Sequence, residues 1–307
     1  IYSIILFRFG VKKIMNLKVG FSGTNGWLAN HVIKSLESKS ISIIDFDKIT
    51  RKLTDKSNAQ DIDKLDWFFH LGSKTNIEES FVDPFTTYRN NLIGTLNAIE
   101  IAKISQAKLL YLSSYIYGDP KYQPIDEDHI VRPNNPYMSS KWIAEQICTD
   151  ICQQQDISLT VFRLFNVYGP GLKRGRLISD LLHNILNNED LLVYDSSPIR
   201  DYLYIKDFVN LIFCLLDSEK SPVGVFNVGS GKSYSNLEVA QVIQTFSPSL
   251  QINILSKPRK NDISSCIVDN KKLINHFNWI PKYDLFEGLE HTINAMGMEN
   301  IIKNNLY

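Results

Sequence analysis

Neither sign of charge is in excess in this chain: 33 lysines and arginines stand against 33 aspartates and glutamates over 307 residues. No basic run stands out, which argues against nucleic acid and against an anionic membrane as partners. Cysteine is scarce, with only Cys148, Cys152, Cys214 and Cys266. Cys148 and Cys152 share a helix face, yet no His or Cys pair nearby completes a metal site, so no metal is expected. Buried, reduced thiols in a cytoplasmic protein are the expectation instead. A long apolar run is also missing. Ile1 to Val11 is apolar but far short of the ~20 residues a spanning helix requires, and no small-residue cleavage site follows. Met15 stands directly before the first strand, so residues 1–14 read as an N-terminal extension, expected to be disordered. Repeats and low-complexity segments are absent too. What remains is a length that can bury one large α/β core with a smaller lobe beside it.

Two segments carry chemistry. Tyr111-Leu112-Ser113-Ser114-Tyr115-Ile116-Tyr117-Gly118 is followed by Pro136-Tyr137-Met138-Ser139-Ser140-Lys141. Pro136 and the spacing of Ile143, Ala144, Ile147, Cys148 and Ile151 predict a helix over 137–155. Positions i and i+4 share a face, so the Tyr137 phenol and the Lys141 ammonium are expected side by side. A free tyrosine, with a pKa of about 10, is a poor base; a neighbouring cation favours its phenolate. Ser113, ending the apolar run Leu109–Leu112, is expected to hold a substrate oxygen and pass its proton to Tyr137. An isolated Tyr-x-x-x-Lys is usually an incidental surface pair, and the rest of the chain decides otherwise.

Leu17–Phe21 is a short apolar strand that runs into Gly23-x-x-Gly26-x-x-Ala29 and an amphipathic helix. Glycine there permits a tight turn and close approach to a pyrophosphate, which sits at the helix N-terminus. A second strand, Ile41–Ile44, ends in Asp45, 22 residues beyond Gly23, where a carboxylate accepts from a ribose 2′-hydroxyl. A dinucleotide is therefore expected on Gly23, Asn25, Gly26, Trp27, Leu28 and Asp45. Asp45 favours NAD over NADP, while Lys48, Arg51 and Lys52 close behind leave NADP open. Few residues separate Asp45 from the next strand, Trp67–Leu71, leaving little room for a further strand and its crossover helix. Leu71, Gly72 and Ser73 at that strand's end are expected to let the nicotinamide ribose and pyrophosphate pass.

A helix is predicted from Pro84 through Lys103, and strands at Leu109–Ser113, Leu159–Leu164 and, as a return strand, Val225–Gly231. Alternating strands and helices mean a Rossmann-type, doubly wound parallel α/β sheet, with ligands beyond the carboxyl ends of its strands. The expected division is residues 15–166 with the return strand at about 201–231, and a smaller C-terminal substrate-binding lobe from 167–200 and 232–307. Lys173, Arg174 and Arg176 form a basic loop able to close over a diphosphate.

In this order the motifs resemble the NAD-dependent epimerase/dehydratase family, the extended short-chain dehydrogenase/reductases that act on nucleotide sugars. The likeness runs over about residues 17–292. Its parts are Gly23–Ala29, Asp45, Phe69–Gly72, Asn90–Thr95, Ser113–Gly118, Tyr137–Lys141, Arg163–Gly171, Arg200-Asp201-Tyr202, Phe226–Gly231, Arg259–Asp262 and Asn278–Pro281. The resemblance implies Ser113, Tyr137 and Lys141 as catalytic residues and Asn91 as support for the relay. It implies Asn166 on the sugar or its diphosphate, Arg200 and Arg259 on phosphate, and a homodimer through the helices around 84–104 and 137–155. Where the family's 4,6-dehydratases carry an Asp-Glu pair after the catalytic hydroxyl, this chain has Ser114 and Tyr115. Dehydration is thus disfavoured, and the related decarboxylases, which keep an acid there, less expected. A nucleotide-sugar 4-epimerase is the leading expectation, with a 4-keto-6-deoxy-sugar reductase as alternative and a non-catalytic NAD-binding protein third.

Overall fold

The computed structural model describes residues 16–49, 62–218, 222–257 and 262–297. The expected extension at residues 1–14, and Arg51, Lys52 and Arg259, lie outside these.

Strand β1 (Lys18–Ser22) passes through the glycine turn into helix α1 (Trp27–Glu37). Then come β2 (Ser42–Asp45), the single turn α2 (Phe46–Ile49), β3 (Trp67–His70), α3 (Ile77–Val82) and α4 (Pro84–Ile104). β4 (Lys108–Ser114), α5 (Pro136–Gln154), β5 (Leu159–Leu164), β6 (Asn166–Tyr168) and α6 (Leu177–Leu186) follow. The rest is β7 (Leu191–Val193), β8 (Ile199–Tyr204), α7 (Ile205–Asp217), β9 (Gly224–Val228), β10 (Ser233–Ser235), α8 (Asn236–Gln244), β11 (Ile252–Ile254), β12 (Ser265–Cys266), α9 (Lys271–Phe277) and α10 (Leu285–Ala295).

The two long helices start where their sequences say they should. Asp83 and Asn135 accept from the third backbone N–H beyond them, and each is followed by a proline in the first turn. Proline costs nothing there, because that N–H has no helical partner. Ser235 with Glu238, and Asp284 with Glu287, close capping boxes on α8 and α10, so the shorter helices have their first amides satisfied.

Six parallel strands form the main sheet in the order β2-β1-β3-β4-β5-β9. The chain moves one way from β1 to β2 and the other way from β1 to β3, which makes the carboxyl end of β1 the crevice where such sheets bind ligands. β2 and β9 are the edge strands of this sheet among the described residues. Val19, Phe21, Trp67, Phe69, Leu110 and Phe162 pack one face against α1 and α7. Phe68, Leu109, Tyr111 and Val161 pack the other against Ala98 and Ala102 of α4 and Ala144, Cys148 and Cys152 of α5. Cys148, Cys152 and Cys266 are buried thiols; Cys214, expected to be buried as well, is partly exposed. Smaller sheets, β10-β8-β12 with β6 alongside β8, and β11-β7, stand beyond the main one. No described helix is long and apolar enough to cross a membrane.

Candidate active site

The glycine turn rests on the loop after β3. Gly23 has φ +81°, and a Cβ there would meet Gly72 N at 2.3 Å and Gly72 Cα at 2.4 Å. Gly23 is needed for both conformation and contact, while a Cβ at Gly72 would press on Gly23 at 3.3 Å. Gly26 N–H donates to Gly23 O at 2.9 Å and closes the turn, and α1 begins at Trp27 with no side chain capping its first amides. An anion at that helix N-terminus would meet free N–H groups and the positive end of the dipole. The cradle therefore fits a dinucleotide pyrophosphate at Gly26, Trp27 and Leu28.

Beside it stand two carboxylates. Asp45 accepts from Thr24 Oγ1 at 3.0 Å and pairs with Lys48 at 3.0 Å. The acid on the glycine turn itself, however, is Asp47, which accepts from the N–H groups of Gly23 and Thr24. Trp27 reaches away from the cradle: its Nε1 donates to Pro170 O at 2.7 Å, and His31 Nε2 donates to the same carbonyl at 2.9 Å. Helix α1 thereby grips the start of the 171–176 basic loop.

Asn91, 1 % exposed, ties the segment after Ser73 to α5. Its Oδ1 accepts from Lys74 N–H at 2.7 Å and Ser73 Oγ at 3.0 Å, and its Nδ2 donates to Ser140 Oγ at 2.8 Å. His70 bridges β1 and α4. Thr95 gives its hydroxyl hydrogen to Asn91 O, so its oxygen accepts from His70 Nε2, and Nδ1 accepts from Ser22 Oγ at 2.7 Å. Burial, then the Lys141 charge, pushes the imidazole down to about 3, keeping it neutral.

The relay differs from its expected form. Ser113, 3 % exposed, donates to Glu145 Oε2 at 2.7 Å and does not face the phenol. Arg163, paired with Ser113 across β4 and β5, closes on the same carboxylate at 2.6 Å and donates to Tyr117 Oη at 2.9 Å. The hydroxyl that acts on Tyr137 is that of Ser114, which favours its phenolate. Strand pleating explains this placement: neighbouring side chains point to opposite faces, and Ser113 shares its face with Tyr111 against α5. Burial raises the Tyr137 phenol above its ordinary value, while the Ser114 hydrogen bond and the Arg176 charge pull it down. Lys141 is likewise not against the phenol. Its ammonium lies 4.4 Å over the Tyr111 ring, and burial, opposed by Glu145, pushes it down to about 7.

The phosphate arginine expected at 200 is engaged: Nη2 meets Asp262 at 2.6 Å and Nη1 donates to Ile199 O at 2.9 Å. Asn166 Nδ2 donates to Asp201 O at 3.1 Å. Asp47, Ser114 and Glu145 are the residues that sequence reasoning passed over. The phase of the pleat would have pointed to Ser114, and Glu145 stands one turn beyond Lys141; nothing local distinguished Asp47 from Asp45.

Residues 21–229 match the sequence profile of the NAD dependent epimerase/dehydratase family. This chain belongs to that family. UDP-glucose 4-epimerase of Mycoplasma genitalium is 32% identical over 267 residues, which cover 78% of this chain and 77% of that one. UDP-glucuronic acid decarboxylase 1 of Danio rerio is 32% identical over 246 residues, 77% of this chain but 58% of that one. A solved UDP-glucose 4-epimerase of Thermotoga maritima with UDP-glucose superposes with a TM-score of 0.81 at 23% identity, covering 92% and 99% of the two chains. At that identity the superposition speaks for the fold, a Rossmann-type α/β sheet. Members of the epimerase/dehydratase family are NAD-dependent enzymes of nucleotide sugars, and the cradle at Gly23, Gly26 and Gly72 suits that cofactor.

Proposed function

We propose that this protein is a nucleotide-sugar 4-epimerase, removing and returning hydride at C4 of a nucleotide-activated hexose. The observation that carries this reading is the Ser114 hydroxyl at the carboxyl end of β4, close enough to the Tyr137 phenol to lower its pKa, on the same end of the sheet as the glycine turn. NAD, when bound, supplies the hydride acceptor. Tyr137 Oη takes the proton of the 4-hydroxyl and later gives it back, and Ser114 Oγ holds that oxygen in line. Arg176 contributes positive charge that favours the phenolate, while Lys141 would have to leave the Tyr111 ring to do the same. Asn91 sets the 72–74 segment, where the cofactor's ribose would pass. Asn166, Arg200 and Arg259 hold the sugar diphosphate, Arg200 exchanging or sharing its Asp262 partner.

Residues after the hydroxyl narrow the chemistry. Tyr115 and Ile116, both buried, follow Ser114, and neither can act as a carboxylic acid–base. Dehydration needs such a pair. A second reading draws on the 32% identity to the decarboxylase: oxidation at C4 of a glucuronate makes a β-keto acid, whose carboxylate leaves as CO2. The missing acid after Ser114 ranks it below epimerisation.

Ile77, Phe81, Val82, Phe85, Ile93 and Leu96 of α3 and α4 and Ile143 of α5 are exposed, Val82 at 87% and Phe85 at 79%. Apolar exposure concentrated on one pair of helices supports a homodimer through that face.

The test is a panel of UDP-, dTDP- and GDP-sugars assayed with and without added NADH. Interconversion of C4 epimers without net NADH consumption supports the proposal. Stoichiometric NADH loss with a 4-keto-6-deoxy sugar would mark a reductase, and CO2 from UDP-glucuronate a decarboxylase. Tyr137→Phe is expected to lower turnover by about 10³-fold with little change in cofactor affinity; substantial residual turnover would remove Tyr137 from the relay.

A further inference from the structure

The first two amides of the glycine turn, those of Gly23 and Thr24, donate to Asp47. Both carboxylate oxygens of Asp47 lie 3.0 Å from Gly23 N, and one lies 2.8 Å from Thr24 N and 3.0 Å from Thr24 Oγ1. Thr24 Oγ1 is also 3.0 Å from Asp45 Oδ1, and Asp47 N–H donates to that same oxygen at 3.1 Å. Two carboxylates thus crowd around one hydroxyl hydrogen. Asp45 has a cation, Lys48, at 3.0 Å. Asp47 has none among the described residues, and its hydrogen bonds run to neutral donors.

The register fixes where this pair lies relative to a bound dinucleotide. Asp45 stands opposite Phe21 across β1 and β2, at the position where an acid reads the ribose of the adenosine half. Asp47 spans the gap between that strand end and Gly23. A ribose seated between the first glycine and Asp45 therefore lies against the Asp47 carboxylate. We propose that Asp47 is a coenzyme-specificity residue: it accepts a ribose with a free 2′-hydroxyl and repels one carrying a 2′-phosphate. A phosphate monoester brings about two negative charges at neutral pH. To use the two amides it would have to displace a carboxylate that is bound four ways, and beside that carboxylate it meets like charge. Lys48, 83% exposed, relieves Asp45 rather than Asp47. This inference rests on the dinucleotide reading of the turn and adds which dinucleotide.

Isothermal titration of NAD and NADP into the purified chain, its Asp47→Asn variant and its Asp47→Ser variant tests it. Asparagine keeps an oxygen for the Gly23 and Thr24 amides and removes the charge. The expected result is a ratio of NADP to NAD affinity that rises about tenfold in Asp47→Asn, with NAD affinity changed little, and Asp47→Ser shifting it in the same direction. If Asp47 only buttresses the turn, both dinucleotides weaken in parallel and the ratio stays put, which overturns the proposal. A chain that binds neither dinucleotide would overturn the dinucleotide reading itself, and this inference with it.

Discussion

A hydroxyl has one hydrogen to give. Ser113 gives its hydrogen to Glu145, a carboxylate with a side chain 1% exposed that also holds Arg163. Such a donor is worth about 1.5–3 kcal/mol to the fold because its acceptor is buried and charged. Ser114, one residue on, points to the other face and meets Tyr137. The two serines therefore predict opposite phenotypes. Ser114→Ala should lower turnover about 10²-fold with a nearly unchanged denaturation midpoint, measured by steady-state assay beside chemical unfolding. Ser113→Ala should cost stability and leave most of the turnover. The reverse pattern would return the relay to Ser113. The sequence shows that a serine ends this strand, because apolar runs and small residues are local features. It does not show which of two adjacent serines faces the phenol, because that depends on the phase of the pleat against a helix more than twenty residues away. Asp47 was missed for a similar reason: its bonds reach back 24 residues to Gly23.

At the scale of elements, β3 is buried along its whole length and ends in a histidine that joins β1 to α4. Its folded pKa, about 3, lies below the ordinary value near 6.5. The unfolded chain thus binds the proton that the folded chain refuses, and stability falls as pH drops through 6.5 toward 3. By pH 5 the loss from this group is about 2 kcal/mol. Asp201, raised by burial to about 7, works in the opposite sense over the same range. A comparison with His70→Gln cancels that second contribution, since both proteins carry Asp201. Between pH 7.5 and pH 5 the parent should lose about 2 kcal/mol more than the variant, read from urea midpoints; equal losses would mean that His70 takes up its proton without leaving the core. Elements were the most legible level of this chain. The two long helices begin and end within one residue of the expected Pro84–Lys103 and Tyr137–Gln155, because proline, caps and apolar spacing all act locally. Of the path from Asp45 to Trp67, the described residues form a single helical turn after β2 and an irregular stretch over 62–66.

Among the described residues, α3 and α4 together carry six exposed large apolar side chains. Phe85→Glu places a charge at their most open aromatic position, 79% exposed. In a homodimer built on these helices the variant should run as a monomer by light scattering while the parent runs at twice the mass; identical masses would place the contact elsewhere or nowhere. Arg200 was harder to place from sequence than the sheet. Its pairing with Asp262 joins β8 to a residue 62 positions later, and no local pattern announces such a contact.

The Pro170 carbonyl, gripped by Trp27 and His31, has a kinetic consequence. Trp27 opens the helix whose amides would hold the dinucleotide, and Pro170 opens the loop that carries Lys173, Arg174 and Arg176. Were that loop to close over a sugar diphosphate, as proposed, its Pro170 end would stay fastened to α1. Departure of the dinucleotide and release of the sugar would then be coupled through that one carbonyl. Under the 4-epimerase proposal the oxidant must outlast each turnover, and this fastening would slow its escape between the two half-reactions.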